Sequence, residues 1–428
     1  MNQYSNGKLY IKKRSFSEWL ILVVLVFPFL FGTLFEIIGL PSFVRFTIDA
    51  VLVYFLVLFI YNKSVTVGRH IVPILWMVAI FFTYTLVVYC FNFQSPFYYI
   101  WGLRNNFRFY VAFLVFALFI TEEYANSIFK VFEFLFWANI IVSLVQFIFM
   151  GIDKDDLGGL FGSTGSTNAY TLVFFIIVIS RSLLATFEGK ENPMYCVFKC
   201  VMSLIVAAMA EMKFYYFVFI FLVLLASVLT RFSKRKLFLW LASTVAVIFG
   251  SIFLTYIFEE FDNFLSLGKI WEYATSEHYS SQNDINRLSA IATLMENYIT
   301  EPLQQIFGMG LGNCDLSELS IFDSAFHQKY EFLHYSWFSS AIMFLENGFV
   351  GIAIYISFFV ICLKRAVSNL KARVGNKLFC QLTVIMAIMC VVLFFYNSSL
   401  RIESGYMVYF VLALPFMVRS NDSTPELI

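Results

Sequence analysis

The chain has 428 residues, 60% of them hydrophobic and only 13% charged, with a mean hydropathy of +0.79. This composition excludes a soluble globular protein. A net charge of +1, with basic residues scattered at segment ends, also leaves no basic face for nucleic acid. The seven cysteines lie mostly inside apolar stretches without ligand spacing and read as structural sulfur.

Lys8, Lys12, Lys13 and Arg14 precede an apolar run from Trp19 to about Leu40. The run is too long for a signal-peptide core and lacks a small-residue cleavage site, which predicts an uncleaved first span. Further spans of about 20 apolar residues, enough to cross ~30 Å of hydrocarbon as a helix, are predicted near 43–61, 71–91, 105–121, 127–150, 167–185, 196–212, 214–230, 237–257, 334–363, 379–396 and 403–419. The predicted fold is an all-α polytopic membrane protein of about 12 transmembrane helices. Residues 1–257 hold nine of them, 258–333 form one large polar loop with amphipathic helices, and 334–428 hold the last three and a tail. The run 334–363 exceeds what a bilayer needs, so its first turns are expected to project above it.

Basic residues set the orientation. With the N-terminus cytoplasmic, Lys63, Arg69, Lys190, Arg231, Lys234, Arg235, Lys236, Lys364, Arg365, Lys371, Arg373 and Lys377 all fall inside, and about 20 of the 29 basic residues do so overall. That bias satisfies the positive-inside rule. Both termini are then cytoplasmic, and the 258–333 loop is extracytoplasmic together with the joints at 92–103, 151–166 and 397–402.

The remaining cations gather at the outer ends of spans. Arg104 and Arg108 lie four apart on one helix face. Lys213 follows Glu211 between two spans, and Arg401 and Glu403 open the last span. Charge near the membrane plane is costly and usually marks a water-filled site. Guanidinium forks suit phosphate oxygens. Arg45 and Asp49, also four apart, read as a structural pair. The stretch from Asp284 predicts an amphipathic helix along the membrane surface, with Ile285, Leu288, Ile291, Leu294, Met295 and Tyr298 on one side and Pro302 as its stop. Arg287 would sit in its first turn beside free amides, a phosphate-binding arrangement. Gly308, Gly310 and Gly312 predict a tight turn with close backbone approach. His334, with an unperturbed pKa near ~6.5, is suited to take a proton from a sugar hydroxyl. His278 and His327 lie in loops and carry little weight. No spacing announces a metal, so the expected chemistry is metal-independent and without a cofactor.

The run "NDINRLSAIATLMENYITEPLQQIFGMGLGN" followed by "FLHYSWFSSAIMFLENGFVG" resembles the C-terminal signature of the O-antigen polymerase and O-antigen ligase superfamily. "GSTGSTNAY", with Asn168, is similar to that family's entry into a middle span, and "AEMK" resembles its Glu-x-Lys. Tyr335 stands where many relatives have asparagine, so a role resting on that asparagine does not carry over. The resemblance implies a glycosyltransferase of the bacterial inner membrane that moves a growing glycan from undecaprenyl diphosphate to the next lipid-linked oligosaccharide, which serve as donor and acceptor. A chain-length regulator and a flippase are its implied partners. In that scheme His334 and Arg287 are catalytic, and Arg104, Arg108, Lys213 and Arg401 bind the diphosphate. Glu211, Glu346, Asn168, Gly308 and Gly310 support them. Trp271, Tyr273, Tyr279 and Tyr330 are candidate sugar-stacking rings. A ligase of the same superfamily and a lipid-linked oligosaccharide flippase or other transporter are the alternatives. Charge at the outer rim and the lack of an internal repeat argue against the transporter.

The charge bias generates a topological prediction. In a chain cleared of its own seven cysteines, Asn283→Cys is expected to react with a membrane-impermeant thiol reagent applied from outside, and Lys371→Cys only after the membrane is opened. The reverse labelling pattern would invert every site assignment above.

Overall fold

The computed structural model describes residues 4–5, 8–9, 16–61, 68–163, 167–257, 276, 284–317, 319 and 321–417. The chain is almost wholly helical, apart from a two-residue antiparallel pairing of Tyr4–Ser5 with Lys8–Leu9. The principal helices are α1 Phe16–Val26, α2 Thr47–Tyr61, α3 Val72–Asn92, α4 Pro96–Phe119, α5 Glu122–Met150, α6 Thr167–Phe187, α7 Pro193–Met209, α8 Lys213–Leu229 and α9 Lys234–Ile257. After them come three short helices, α10 Ala290–Asn297, α11 Pro302–Phe307 and α12 Ala325–Tyr330. The chain then forms α13 Ser339–Ala372, α14 Lys377–Tyr396 and α15 Gly405–Ala413.

Six helical stretches among the described residues are long and apolar enough to cross a bilayer: Ser42–Tyr61, Val72–Asn92, Glu122–Met150, Thr167–Phe187, Ser339–Ala372 and Lys377–Tyr396. α7, α8 and α15 are apolar but shorter. α4 has the length, but Arg104, Asn105, Asn106 and Arg108 interrupt its apolar sequence. α6 and α14 form the centre, with nearly every side chain of α6 buried, whereas α2 and α3 present many exposed apolar residues such as Tyr61, Trp76 and Phe91. Exposed apolar surface of that extent is what hydrocarbon contact requires.

Joints alternate between two ends of the bundle. At one end Asn376 donates to Glu122 at 2.7 Å, Lys377 meets Glu188 at 2.8 Å and Gln381 donates to the Leu229 carbonyl at 2.8 Å. The opposite end carries the loop-rich layer, in which the described residues of 284–338 meet the joints 93–95 and 397–404 through Gln94–Leu311 and Arg401–Asp315, and Asn168 ties the joints 151–163 and 210–212 together.

Three expectations change here. The helix predicted from Asp284 begins only at Ala290. Asn286 donates to Ser276 and accepts from the Arg287 amide, Ser289 donates to the Ser276 carbonyl, and Ile285 bonds to the Leu333 carbonyl. These bonds give the backbone an alternative to helix. The helix also stops before Pro302, which instead opens α11 at its first turn. Its apolar face, with Ala290 and Leu294, packs on Tyr335, Phe338, Ala341 and Leu345 and so does not lie on the membrane surface. α13 starts at Ser339, and its first ten residues are buried in protein.

The glycine run explains that burial. Gly308, Gly310 and Gly312 all have positive φ, as does Gly348, where α13 breaks. The Met309 and Gly310 amides bond to the Leu345 and Glu346 carbonyls at 2.8 and 2.9 Å, and Tyr84 of α3 donates to the Asn347 carbonyl at 2.6 Å. The kink frees carbonyls, and the glycine segment with Tyr84 satisfies them.

A Cβ on Gly308 would lie 2.4 Å from backbone atoms of Glu346 and Asn347, whereas one on Gly39, also at positive φ, would meet nothing within 4 Å. Gly39→Ala should therefore cost only the left-handed conformation, about 1–2 kcal/mol. Gly308→Ala should cost more and lower the thermal unfolding midpoint further. Equal midpoints for the two variants would show that the close approach of the glycine segment to α13 is not required.

Candidate functional site

Two groups of charged residues lie in the loop-rich layer. They differ in where they lie.

The first is a buried ion array. Arg401, in the turn before α15, reaches Asp315 at 3.0 Å and Glu346 at 3.4 Å, with Asn106 of α4 also 3.4 Å away. Asn105 donates to the same Asp315 oxygen at 2.7 Å, and the Gly312 amide donates to the other Glu346 oxygen at 2.9 Å. Arg108 pairs with Glu403 at 3.1 Å and donates to the Arg401 carbonyl at 2.9 Å, while Tyr170 of α6 donates to the second Glu403 oxygen at 2.7 Å. The side chains of these ion pairs are at most 9% exposed. Arg104, at the edge, donates through Nε and Nη2 to one Asp49 oxygen at 3.0 and 2.7 Å. Asp49 is thus the partner of Arg104, and the expected Arg45–Asp49 pair does not form. Arg104, Arg108 and Arg401 come together as predicted, but each is matched by protein carboxylates.

The second group lies where the 284–289 segment meets α14. Arg287 sits with its guanidinium carbon 4.6 Å from the centre of the Tyr396 ring, at the end of α14. Tyr396 in turn stacks on Phe214, with ring centres 3.9 Å apart. Phe214 follows Lys213, which pairs with Glu211 at 2.7 Å in the sharp joint between α7 and α8, where Glu211 has φ 51°. Asn168, opening α6, donates to Asp155 at 2.8 Å and to the Ala210 carbonyl at 3.2 Å. Desolvation pushes the Asp155 carboxyl upward and the Asn168 bond opposes it, with Glu211 raising and Arg287 lowering it further. Arg287 and Glu211 both lie close enough to Asp155 to act on its charge.

His334 enters the same region through the backbone. The Ile285–Leu333 bond places Arg287 and His334 just beyond one junction, and the Ser339 amide and hydroxyl both bond to the Asn397 carbonyl, next to Tyr396. His334 is half-buried in the left-handed conformation at φ 51° and stacks on Trp337, ring centres 4.2 Å apart. Its Nδ1 is buried without a hydrogen-bond partner among the described residues. A non-glycine residue held at positive φ with an open ring nitrogen is a feature typical of functional sites. His327, by contrast, is buried with Nδ1 3.1 Å from the Tyr335 hydroxyl, a packing role.

Glu346, proposed to support the site, belongs to the ion array, while Lys213, Glu211 and Asn168 join Arg287. Gly308 and Gly310 shape the support of Glu346. Tyr330 packs on Tyr298 and Phe326, while Trp271, Tyr273, Tyr279 and His278 lie outside the described residues. Sequence reasoning passed over Asp155, Asp315, Phe214 and Tyr396. Asp155 lay in a joint already marked as outer, so its position was a usable signal; the rings of Phe214 and Tyr396 had none among so many aromatics. Among the described residues no group of three or more histidine, cysteine or acidic side chains gathers as a metal would need. No protein-family model matches the chain, and no curated protein matches it by sequence.

The array carries a stability prediction. Removing one member of a buried ion set leaves its partners uncompensated at a cost of about 3–5 kcal/mol. Arg401→Gln should therefore lower the unfolding midpoint strongly, while Lys371→Gln, at an exposed site, should leave it unchanged. Indistinguishable midpoints for the two variants would remove the array from the account of stability.

Proposed function

We propose that this chain is a polysaccharide polymerase of the inner membrane, crossing it about twelve times with both termini cytoplasmic, and that it extends a glycan carried on undecaprenyl diphosphate. The observation that carries the reading is the corner at Tyr396, where Arg287 covers the Tyr396 ring, Tyr396 stacks on Phe214, the neighbour of Lys213, and the segment holding His334 joins them. Cations at a membrane-proximal rim suit a lipid-borne diphosphate, and a histidine with a buried, open ring nitrogen suits an acceptor hydroxyl.

In the proposed reaction the acceptor hydroxyl oxygen attacks the anomeric carbon of the donor glycan, and His334 takes the hydroxyl proton. The bond from that carbon to the phosphate oxygen breaks, and the electron pair leaves with the diphosphate. Arg287 and Lys213 stabilise the charge that develops there. Arg104, Arg108 and Arg401 are assigned to the framework because protein carboxylates already match them. Glu211 and Asp155 keep the two cations placed when no substrate is bound.

With purified protein and a synthetic lipid-linked repeat, His334→Ala is expected to slow turnover by roughly 10²–10⁴-fold while donor binding stays near normal. Arg287→Ala should lose donor binding as well, and Arg287→Lys should recover part of it, since a point charge does not reproduce a fork. Normal polymer from both alanine variants would overturn the assignment. A deletion strain tests the class: single-repeat surface glycan indicates polymerase, an unsubstituted core indicates ligase, and lipid-linked repeats trapped inside indicate a flippase.

A further inference from the structure

Arg45, near the start of the stretch Ser42–Tyr61, has no carboxylate within ion-pair distance among the described residues. It lies in the short 3-10 helix Ser42–Phe46, with its guanidinium carbon 5.1 Å from the Phe31 ring centre and 5.0 Å from that of Phe35. Its Nε is buried without a hydrogen-bond partner, and among the described residues no carboxylate comes within ion-pair distance. The nearby acids are committed elsewhere. Asp49 gives one oxygen to Arg104, and its other is buried without a partner. Glu403, which feels Arg45 electrostatically, has one oxygen on Arg108 and the other on Tyr170. Glu36, next to Phe35, accepts from the Ser163 amide and hydroxyl at 2.6 and 2.8 Å. The Arg104–Asp49 and Arg108–Glu403 pairs each close to zero, which leaves Arg45 and Glu36 as charges that do not pair with each other, Glu36 being held by Ser163 instead.

The surroundings say what anion would fit. Ile37, Ile38 and Phe43, on the segments flanking Arg45, are 80%, 59% and 63% exposed. Such a run of exposed apolar side chains beside a cation matches a molecule that is apolar along one part and anionic at its head. An arginine at the end of a membrane-crossing stretch with no carboxylate partner among the described residues is a candidate ligand site because of its desolvation cost, and its planar fork fits phosphate oxygens.

We propose that Arg45, walled by Phe31 and Phe35 and flanked by Ile37, Ile38 and Phe43, binds the phosphate of a lipid. The chemistry is shared by a bilayer phospholipid headgroup and by a polyprenyl diphosphate, and the site is separate from the Arg287 corner. Its occupancy needs no transfer activity, so the proposal stands or falls independently of the function proposed above.

The test uses the full chain in detergent and follows the unfolding midpoint as lipid is added. Phosphatidylglycerol and a polyprenyl diphosphate are compared with the phosphate-free diacylglycerol and polyprenol. The wild type should be stabilised by at least one phosphate lipid and by neither phosphate-free analogue. Arg45→Gln should weaken that response by about ten-fold or more in apparent affinity, the loss of one charge-assisted contact. Arg45→Lys should fall between the two, which keeps the comparison open if Arg45→Gln does not accumulate. Loss confined to phosphatidylglycerol identifies a headgroup site, and loss confined to the polyprenyl diphosphate a carrier site. An unchanged response to both lipids in the variants, or equal stabilisation by the phosphate-free analogues, overturns the proposal.

Discussion

The pairing of Arg401 with Asp315 and Glu346 is the interaction on which the loop-rich layer depends. A guanidinium withdrawn from water costs several kcal/mol unless its charge and donors are both met, and here the partners come from three distant parts of the chain. Asp315 arrives only if the glycine segment folds back over α13. Glu346 is placed only if α13 breaks at Gly348, and its second oxygen is met only by the Gly312 amide. Each condition implies the others, so the array behaves as one lock between bundle and layer. Once it is closed, Ser339 is held on Asn397 and Leu333 on Ile285, and the positions of Arg287 and His334 follow from those two contacts.

Much of the helical framework was legible because apolar length and the polar joints between runs are local signals. The stretches predicted at 71–91, 167–185 and 379–396 lie within two or so residues of α3, α6 and α14. Polar layers were less legible, because their geometry depends on distant partners. Arg45 and Asp49 satisfy the four-residue spacing of an α-helical pair, yet Arg45 lies in 3-10 helix and Asp49 in the α-helix that follows. The tighter winding moves the two off a common face, and Arg104 from another helix takes the carboxylate. The start at Asp284 failed for a related reason: Asn286 and Ser289 found hydrogen-bond partners at Ser276 and across the chain at Leu333 through Ile285, which no local pattern encodes.

The same distinction applies to the cations. In sequence Arg104, Arg108, Arg401, Arg287 and Lys213 are alike, basic residues at the ends of apolar runs. In the fold three of them are consumed by carboxylates inside the protein, and their cost of burial is met there. Arg287 lies over the aromatic face of Tyr396, with its guanidinium carbon 4.6 Å from the ring centre. Lys213 has Glu211 as partner, but at a strained joint and with both side chains about one-fifth exposed, so a competing anion can reach the pair.

The joint at 151–163 gives these observations a common mechanical element. Its early part holds Asp155 on Asn168 beside the Arg287 corner, and its last residue, Ser163, holds Glu36 beside the Arg45 corner. Between them Gly159 and Leu160 are fastened to Gln146 and Asn139 of α5, so the segment is tied at both ends and in the middle. A displacement of Glu36 would therefore be opposed by the α5 contacts before it reached Asp155. The two corners are thereby joined by one segment that α5 anchors between them.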